Sequence, residues 1–166
     1  MTVLEKKIDA LMRFASADND YEKENIRKEI RQLLCETDPE VIYHEKEREV
    51  RNVLLELKAP EQMVGYAFTI DAVLLAMKDT SYLHNLKWGV YEPISRKYNT
   101  SIVAVERGVN FFVTTVWDFA PSSKLDCYFG GIITEGKDKP TNGQFIARLA
   151  NIVKYDLLKG ADGKCR

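Results

Sequence analysis

The amino-acid sequence predicts an all-α protein, in which a multi-helix domain containing a helix-turn-helix follows an N-terminal helical hairpin. Three observations support this fold class. Apolar residues recur every three or four positions in most segments, which is the spacing of one face of an α-helix. Residues that cap or break helices separate these segments. Apolar residues make up 45% of the chain and charged residues 30%, which is typical of a globular protein.

The first two predicted helices lie within residues 1–45. Thr2 and Glu5 match a capping box, in which each side chain accepts a hydrogen bond from the other residue's backbone N–H. The apolar stripe of the first helix consists of Leu4, Ile8, Leu11 and Met12, and that of the second, beyond a polar turn at residues 18–20, of Ile26, Ile30, Leu33 and Leu34. Two short amphipathic helices have little core of their own. We therefore expect their apolar faces to need a partner, either the rest of the chain or a second copy, and our hypothesis is that this hairpin dimerises the protein.

A domain boundary is predicted near the start of the third helix. Asp38, Pro39 and Glu40 supply a capping carboxylate, a proline at the first helical position and an acid near the positive end of the helix dipole. This helix is expected to end before Pro60. The predicted organisation is a hairpin over residues 1–45, a domain over 46–158 and a polar tail over 159–166.

The middle and the end of that domain differ in composition. Residues 65–77 are mostly apolar and predict a buried helix, within which Asp71 is expected to be partly exposed. Prolines, serines and glycines predict that residues 118–142 are rich in loops. A short strand at 132–134 is an alternative within this stretch. Thr141 and Asn142 then open a final helix, whose apolar face comprises Phe145, Ile146, Leu149, Ile152 and Val153.

Residues 92–117 match the pattern of a helix-turn-helix. Ile94 and Tyr98 form a short stripe on the first helix, and Asn99 occupies the turn, where asparagine tolerates a left-handed conformation. Thr100 or Ser101 can cap the next helix. The apolar residues of that second helix fall within an arc of about 100°, and they are Ile102, Val105, Val109, Phe112, Val113 and Val116.

The opposite face of the second helix is predicted to contact DNA bases. Arginine can donate two hydrogen bonds to guanine, glutamate can accept one from cytosine, and asparagine can read adenine. The predicted base contacts are Val103, Glu106, Arg107 and Asn110, and the predicted phosphate contacts near the turn are Arg96, Lys97 and Ser101. On the pattern alone, a solvated helix face explains Glu106 and Arg107 equally well.

Other classes of function lack support in the sequence. No stretch is apolar for long enough to span a bilayer, and the first residues lack the apolar core of a secretion signal. His44 and His84 have no further ligand at a metal-binding spacing, so no metal or other cofactor is predicted. No P-loop, dinucleotide fingerprint or nucleophile elbow occurs, and we do not expect an enzyme. The widely spaced Cys35, Cys127 and Cys165 predict reduced thiols in the cytoplasm.

The second part of the sequence resembles a known family. The motifs that carry the resemblance are Glu56-Leu57-Lys58-Ala59-Pro60 before Gly65-Tyr66, Arg96-Lys97-Tyr98-Asn99-Thr100, Val105-Glu106-Arg107, Trp117, Phe129-Gly130, Lys137, Lys139-Pro140-Thr141-Asn142 and Phe145-Ile146-Ala147. Together they resemble the C-terminal, DNA-binding effector domain family of the stage-zero sporulation response regulator, protein A. The resemblance covers most of residues 46–158.

The resemblance implies an all-helical domain that binds short promoter elements. It places Glu106 and Arg107 at base-contacting positions, and Lys137 and Lys139 in a basic loop near the phosphate backbone. Double-stranded DNA is thus the implied partner, with a second copy of the chain and RNA polymerase or a related regulator as further partners. Residues 1–45 do not resemble the family's phosphoacceptor receiver domain, so we expect dimerisation that does not depend on phosphorylation.

The sequence departs from the family on the face predicted to contact DNA. The family has a basic residue in place of Asn110, a histidine in place of Phe111, a Ser-Arg pair in place of Val103-Ala104 and a lysine in place of Val64. The net charge is −1, which permits a DNA partner without requiring one. Two hypotheses therefore stand: a sequence-specific DNA-binding transcription regulator, and a protein-interaction module of the same fold that has lost DNA binding.

Overall fold

The structure, a computed structural model, describes residues 3–35, 39–130 and 139–155. Its α-helices are α1 (Val3–Ser16), α2 (Asp20–Cys35), α3 (Pro39–Glu56), α4 (Val64–Lys78), α5 (Glu92–Lys97), α6 (Ile102–Phe119), α7 (Ser122–Phe129) and α8 (Asn142–Tyr155), with a 3₁₀ turn at Thr80–Asn85 and a π-helical turn at Lys87–Tyr91. Every regular element within the described residues is a helix, which confirms the predicted all-α fold class. The predictions for Thr2, Asp38, residues 132–134, Lys137 and residues 159–166 lie outside those residues.

The chain divides into two compact units, Met1–Glu45 and Lys46–Arg166. In the first unit, α1 and α2 pack against each other as a helical hairpin. Their connection forms where the sequence predicts it, because the side chain of Asn19 caps α2 by accepting a hydrogen bond of 2.8 Å from the N–H of Glu22. An ion pair of 2.6 Å between Arg13 and Glu29 joins the two helices.

The apolar stripe of α1 is not covered by α2. Ala10, and Ala17 just after the end of α1, are buried, whereas Ile8, Leu11 and Met12 are exposed. Small side chains let two helices approach closely, since the distance between helix axes depends on the residues at the contact. The large apolar side chains of α1 are therefore left on a second, solvent-facing stripe. On α2, Ile26 and Leu33 are buried as predicted.

The second unit is built around α4, which is buried along nearly its whole length and packs against α6 and α8. This confirms the buried helix predicted at residues 65–77. Phe129 stacks on Phe145 with ring centroids 5.1 Å apart. The largest fully buried side chains come from several helices and include Leu54, Leu57, Ile94, Phe112, Phe129, Phe145, Ile146 and Leu149. The whole predicted apolar face of α8 is buried.

Two glycines bring α4 and α6 into backbone contact. A Cβ atom added to Gly65 would lie 2.2 Å from the carbonyl oxygen of Gly108 and 2.6 Å from the Cβ of Phe112. Both distances are far shorter than van der Waals contact, so a side chain at residue 65 would force the helices apart. A Cβ on Gly108 would in turn lie 3.0 Å from the ring of Phe68. This crossing fixes the position of α6 on the domain.

The stretch predicted to be loop-rich contains a helix, α7, so the loop prediction is wrong for Ser122–Phe129. Pro121 stands immediately before α7, and proline and serine are as typical of helix starts as of loops. The side chains of Lys124 and Tyr128 hold α7 against α3, because they contact the carboxylate of Glu56 at 2.5 and 2.8 Å.

Cys127, on α7, takes part in a disulfide. The prediction of a reduced thiol is therefore wrong at this position. Spacing in the sequence gives no sign of this pairing, because the two cysteines of a disulfide need only be close in the folded chain.

Candidate nucleic-acid interface

A tight turn joins α5 to α6 in the arrangement of a helix-turn-helix. Asn99 adopts the predicted left-handed conformation, with φ at 50°. The N–H of Thr100 donates to the carbonyl of Ser95 at 2.9 Å, and the N–H of Asn99 donates to that of Arg96 at 3.2 Å. These two hydrogen bonds form a Schellman motif, which satisfies carbonyl groups that the end of α5 would otherwise leave without partners.

Ser101 begins the second helix of the motif. Its side-chain oxygen accepts a hydrogen bond of 3.1 Å from the N–H of Ala104, so Ser101 is the N-cap of α6. The residue is exposed, and its hydroxyl hydrogen can still be donated to another acceptor. Ahead of the turn, Tyr98 packs edge-on against Phe68 of α4 with ring centroids 5.0 Å apart. The cap and the aromatic contact together fix where α6 starts.

The α6 helix has one buried and one exposed face. The buried face contains the predicted Val105, Val109, Phe112, Val113 and Val116, while Ile102 is half-buried. The exposed face of the first ten residues consists of Val103, Ala104, Glu106, Arg107, Asn110 and Phe111. All four side chains predicted to contact bases are therefore exposed in the N-terminal half of the second helix. Helix-turn-helix proteins place that part of the helix in the major groove.

Glu106 and Arg107 differ in their surroundings. Arg107 forms no ion pair or hydrogen bond with any residue that the structure describes. Glu106 acts on Tyr91, the last residue of the π-helical turn. Burial raises the pKa of the Tyr91 hydroxyl, a hydrogen bond of 3.1 Å from Asn142 at the start of α8 lowers it, and the charge of Glu106 raises it. The guanidinium of Arg107 thus keeps its donors available for a ligand.

Lys139 contacts α6 directly. Its ammonium group donates to the Oδ1 atom of Asn110 at 3.0 Å and to the Oγ1 atom of Thr114 at 2.7 Å. The sequence predicts both Lys139 and Asn110 as DNA contacts but gives no sign that they touch, because they are 29 positions apart. The other lysine predicted for this loop, Lys137, lies outside the described residues.

The two cations predicted at the end of α5 are each bound to a carboxylate. Arg96 pairs with Glu92, one turn earlier on the same helix. Lys97 contacts both carboxylate oxygens of Asp71, at 2.8 and 2.9 Å. Asp71 is buried in α4, so the prediction of a partly exposed carboxylate is wrong. A buried carboxylate needs a charged or hydrogen-bonding partner, and Lys97 provides it from a helix that the sequence does not place beside α4.

One family of proteins matches most of the second unit. The sequence model described as "Sporulation initiation factor Spo0A C terminal" matches residues 50–153, more than half of the chain. This protein belongs to that family. The match confirms the resemblance inferred from the sequence, and it contains α5, the turn and α6. The Spo0A C-terminal family is a DNA-binding, transcription-regulating domain of sporulation and not an enzyme family.

Residues 3–35, 39–130 and 139–155 contain neither a membrane-spanning helix nor a metal-binding cluster. None of the helices in these ranges is both long and apolar enough to cross a membrane. Nor do three histidine, cysteine, aspartate or glutamate side chains in these ranges form a group that could hold a metal ion. The candidate site is thus the exposed face of α6 together with the residues that border it.

Proposed function

We propose that this protein is a cytoplasmic, sequence-specific transcription regulator that binds duplex DNA through α6. The observation that carries the proposal is the pair Glu106 and Arg107, exposed on the second helix of a helix-turn-helix. An arginine without a carboxylate partner can bind O6 and N7 of guanine, and a glutamate can accept a hydrogen bond from N4 of cytosine. These groups have different base preferences, so the face can discriminate between sequences.

Residues around this pair supply phosphate contacts in the proposal. Lys139 retains its positive charge, because its acceptors in Asn110 and Thr114 are neutral. Ser101 has a hydroxyl hydrogen to donate, and Arg96 is highly exposed although it pairs with Glu92. Such contacts hold the helix in register on the duplex and do not by themselves select a sequence.

The first test is a selection of binding sites from a random duplex pool at two salt concentrations, followed by fluorescence anisotropy. We expect a short motif to be enriched. The Arg107→Ala variant should lose about 1–3 kcal/mol of binding free energy for that motif and tolerate other bases at one position. Lys154→Ala is the matched control, because it removes a positive charge from an exposed site on α8.

A second candidate function is a protein-interaction module that has lost DNA binding. It is favoured by Val103 and Phe111, two large apolar side chains that are exposed on the same face of α6. Under this alternative, the wild-type protein and Arg107→Ala bind every duplex weakly and equally. That result would exclude sequence-specific DNA binding by α6 and favour a protein partner for this face.

We also propose that the protein is a homodimer held together by α1. Ile8, Leu11 and Met12 are exposed and form one stripe at helical spacing. A second copy presents the same stripe, so two α1 helices can cover each other about a two-fold axis. Two DNA-binding domains can then contact two half-sites, which raises the affinity above that of one domain.

The dimer is tested by replacing Leu11 and Met12 together with glutamate and measuring the mass in solution by sedimentation. We expect a dimeric wild type and a monomeric variant, because charges placed on the apolar stripe repel each other across the interface. Tyr21→Glu is the matched control, since Tyr21 is exposed on the same hairpin but lies outside the stripe. A monomeric wild type, or a dimeric double variant, would contradict this proposal.

A further inference from the structure

Two apolar side chains lie on either side of Arg107 on the exposed face of α6. Val103 is 52% exposed and Phe111 is 67% exposed. Val103, Arg107 and Phe111 are four residues apart, so they lie on nearly the same side of the helix, with about 6 Å of rise between neighbours. Single exposed apolar residues are common on protein surfaces. Two that flank the predicted guanine-binding arginine at helical spacing call for a ligand.

Asn110 has fewer hydrogen-bonding positions available for bases than the sequence suggests, because Lys139 contacts its side chain. Adenine recognition by asparagine requires the amide oxygen as an acceptor and the amide nitrogen as a donor. The oxygen of Asn110 already accepts a hydrogen bond of 3.0 Å from Lys139. One of the two lone pairs of the Asn110 oxygen is therefore already used by Lys139. Besides Asn110, the groups that can distinguish bases are one guanidinium, one carboxylate and the apolar side chains.

We propose that Val103 and Phe111 recognise the C5-methyl groups of two thymines that flank the base pair contacted by Arg107. This inference rests on the proposed function of α6 as a DNA-reading helix. The thymine methyl is the apolar group that the major groove offers, and its contact with aliphatic or aromatic side chains is a form of direct base readout. Burying the methyl against Phe111 removes apolar surface of both partners from water.

The distribution of charge on this face favours DNA over a protein partner. Charged residues are depleted from the cores of protein interfaces. Here Arg107 stands between the two apolar side chains, with Glu106 beside it and the ammonium of Lys139 held at Asn110. A protein partner would have to cover these charges, whereas the major groove presents polar atoms at every base pair and a methyl group at each thymine.

The spacing also sets where the thymines lie. Eight residues of α-helix rise about 12 Å, and successive base pairs are about 3.4 Å apart along the duplex. The two thymines are therefore separated by at most three or four base pairs, the limit for a helix parallel to the duplex axis, with the base pair read by Arg107 between them.

The experiment uses the duplex selected from the random pool and replaces its thymidines one at a time with deoxyuridine. This change removes only the methyl group and leaves the base pairing intact. For the full-length wild type we expect binding to weaken about fourfold at each of two positions, which is the effect of losing one methylene-sized apolar contact. At one of those positions, Phe111→Ala should bind the thymidine and deoxyuridine duplexes with equal affinity. At the other position, this variant should still bind the deoxyuridine duplex more weakly.

Phe119→Ala is the matched control, because Phe119 is also on α6, is 79% exposed and lies at the far end of the helix. This variant should retain the wild-type response to deoxyuridine. A selected motif that depends on Arg107 but is insensitive to deoxyuridine would overturn this inference and leave the proposed function intact. Equal sensitivity of wild type and Phe111→Ala at every thymine would also overturn it. The absence of any selected motif would overturn the proposed function together with this inference.

Discussion

The cations near the two ends of the proposed DNA-binding face are held in different ways. At the α5 end, Lys97 binds the carboxylate of Asp71 and Arg96 binds that of Glu92. At the opposite end, Lys139 binds the neutral oxygens of Asn110 and Thr114. A carboxylate cancels the positive charge that it binds, whereas an amide or hydroxyl oxygen positions the cation and leaves its charge in place.

This difference means that a count of basic residues overstates the charge available for phosphates. Of the cations predicted to contact DNA within the described residues, Lys139 and Arg107 lack a carboxylate partner there. Salt dependence reports the number of phosphates that a protein neutralises. Lys97 at the α5 end is thus expected to contribute mainly to stability, and Lys139 at the opposite end mainly to binding.

The largest expected effect is on stability at the α5 end. Lys97→Met leaves the buried carboxylate of Asp71 without its ammonium partner. We expect the free energy of unfolding to fall by about 1–3 kcal/mol, the cost of an unsatisfied buried polar group, as measured by urea denaturation. Arg96→Met is the comparison variant. It removes an exposed ion pair and should cost less than about 0.5 kcal/mol. Equal losses in the two variants would contradict the distinction between them.

The next effect is on the salt dependence of DNA binding. Lys139→Met should lower the slope of log K against log salt concentration by about 0.9, because one phosphate contact is lost. Lys97→Met should change this slope by well under half as much, since its charge is already cancelled by Asp71. The slopes are measured by fluorescence anisotropy on the selected duplex.

Asn110→Asp gives Lys139 a carboxylate partner, as Asp71 is for Lys97. The new carboxylate would lie within hydrogen-bond distance of the ammonium group of Lys139, as the amide oxygen does now at 3.0 Å. We expect a salt slope close to that of Lys139→Met although the lysine is still present. A slope that stays at the wild-type value would show that pairing with a carboxylate does not decide which cations bind phosphate.

The smallest effect concerns a lysine–carboxylate pair outside the DNA-binding face, formed by Lys124 and Glu56. The hydrogen bond from Lys124 lowers the pKa of Glu56, as does the one from Tyr128, while burial acts in the opposite direction. A lowered pKa in the folded state stabilises the protein above the unfolded pKa of about 4.5, and this contribution is lost as the pH falls through the folded pKa. Because the pair is partly exposed, Glu56→Gln should cost at most about 1 kcal/mol at pH 7.

The measurement for this pair is urea denaturation of wild type and Glu56→Gln across the pH range. The stability difference should be present at neutral pH and should shrink below the ordinary pKa of glutamate. A difference that is independent of pH would mean that Glu56 stabilises α7 through packing and not through its charge.

The sequence predicts the helices and the turn because their signals are local. The buried faces of α6 and α8 follow from the spacing of apolar residues within each helix. Asn99 adopts its predicted left-handed conformation at the end of α5, where the hydrogen bonds involve residues only three to five positions apart. Lys58 shows the limit of such signals. It ends α3 in the same conformation, with φ at 53°, although lysine gives no local indication of it.

The predictions that fail depend on contacts between distant segments. Asp71 is buried because Lys97, 26 positions away, reaches its carboxylate. The loop predicted around residues 118–142 contains α7, which contacts Glu56 of α3 through Lys124 and Tyr128. At the candidate site, the sequence identifies the exposed residues of α6, but it cannot show that Lys139 donates a hydrogen bond to the side chain of Asn110. Pairings of this kind depend on tertiary structure, which single-sequence patterns do not encode.

The contact of Gly65 with Gly108 sets the orientation of α6 through residues other than those proposed to contact bases. The orientation of the helix depends on these two glycines, and neither belongs to the residues proposed to read bases. If these residues read bases as proposed, substitutions at Val103, Arg107 or Phe111 change the preferred sequence without turning the helix. Single evolutionary steps would then give new target sites and leave the approach of the domain to DNA unchanged.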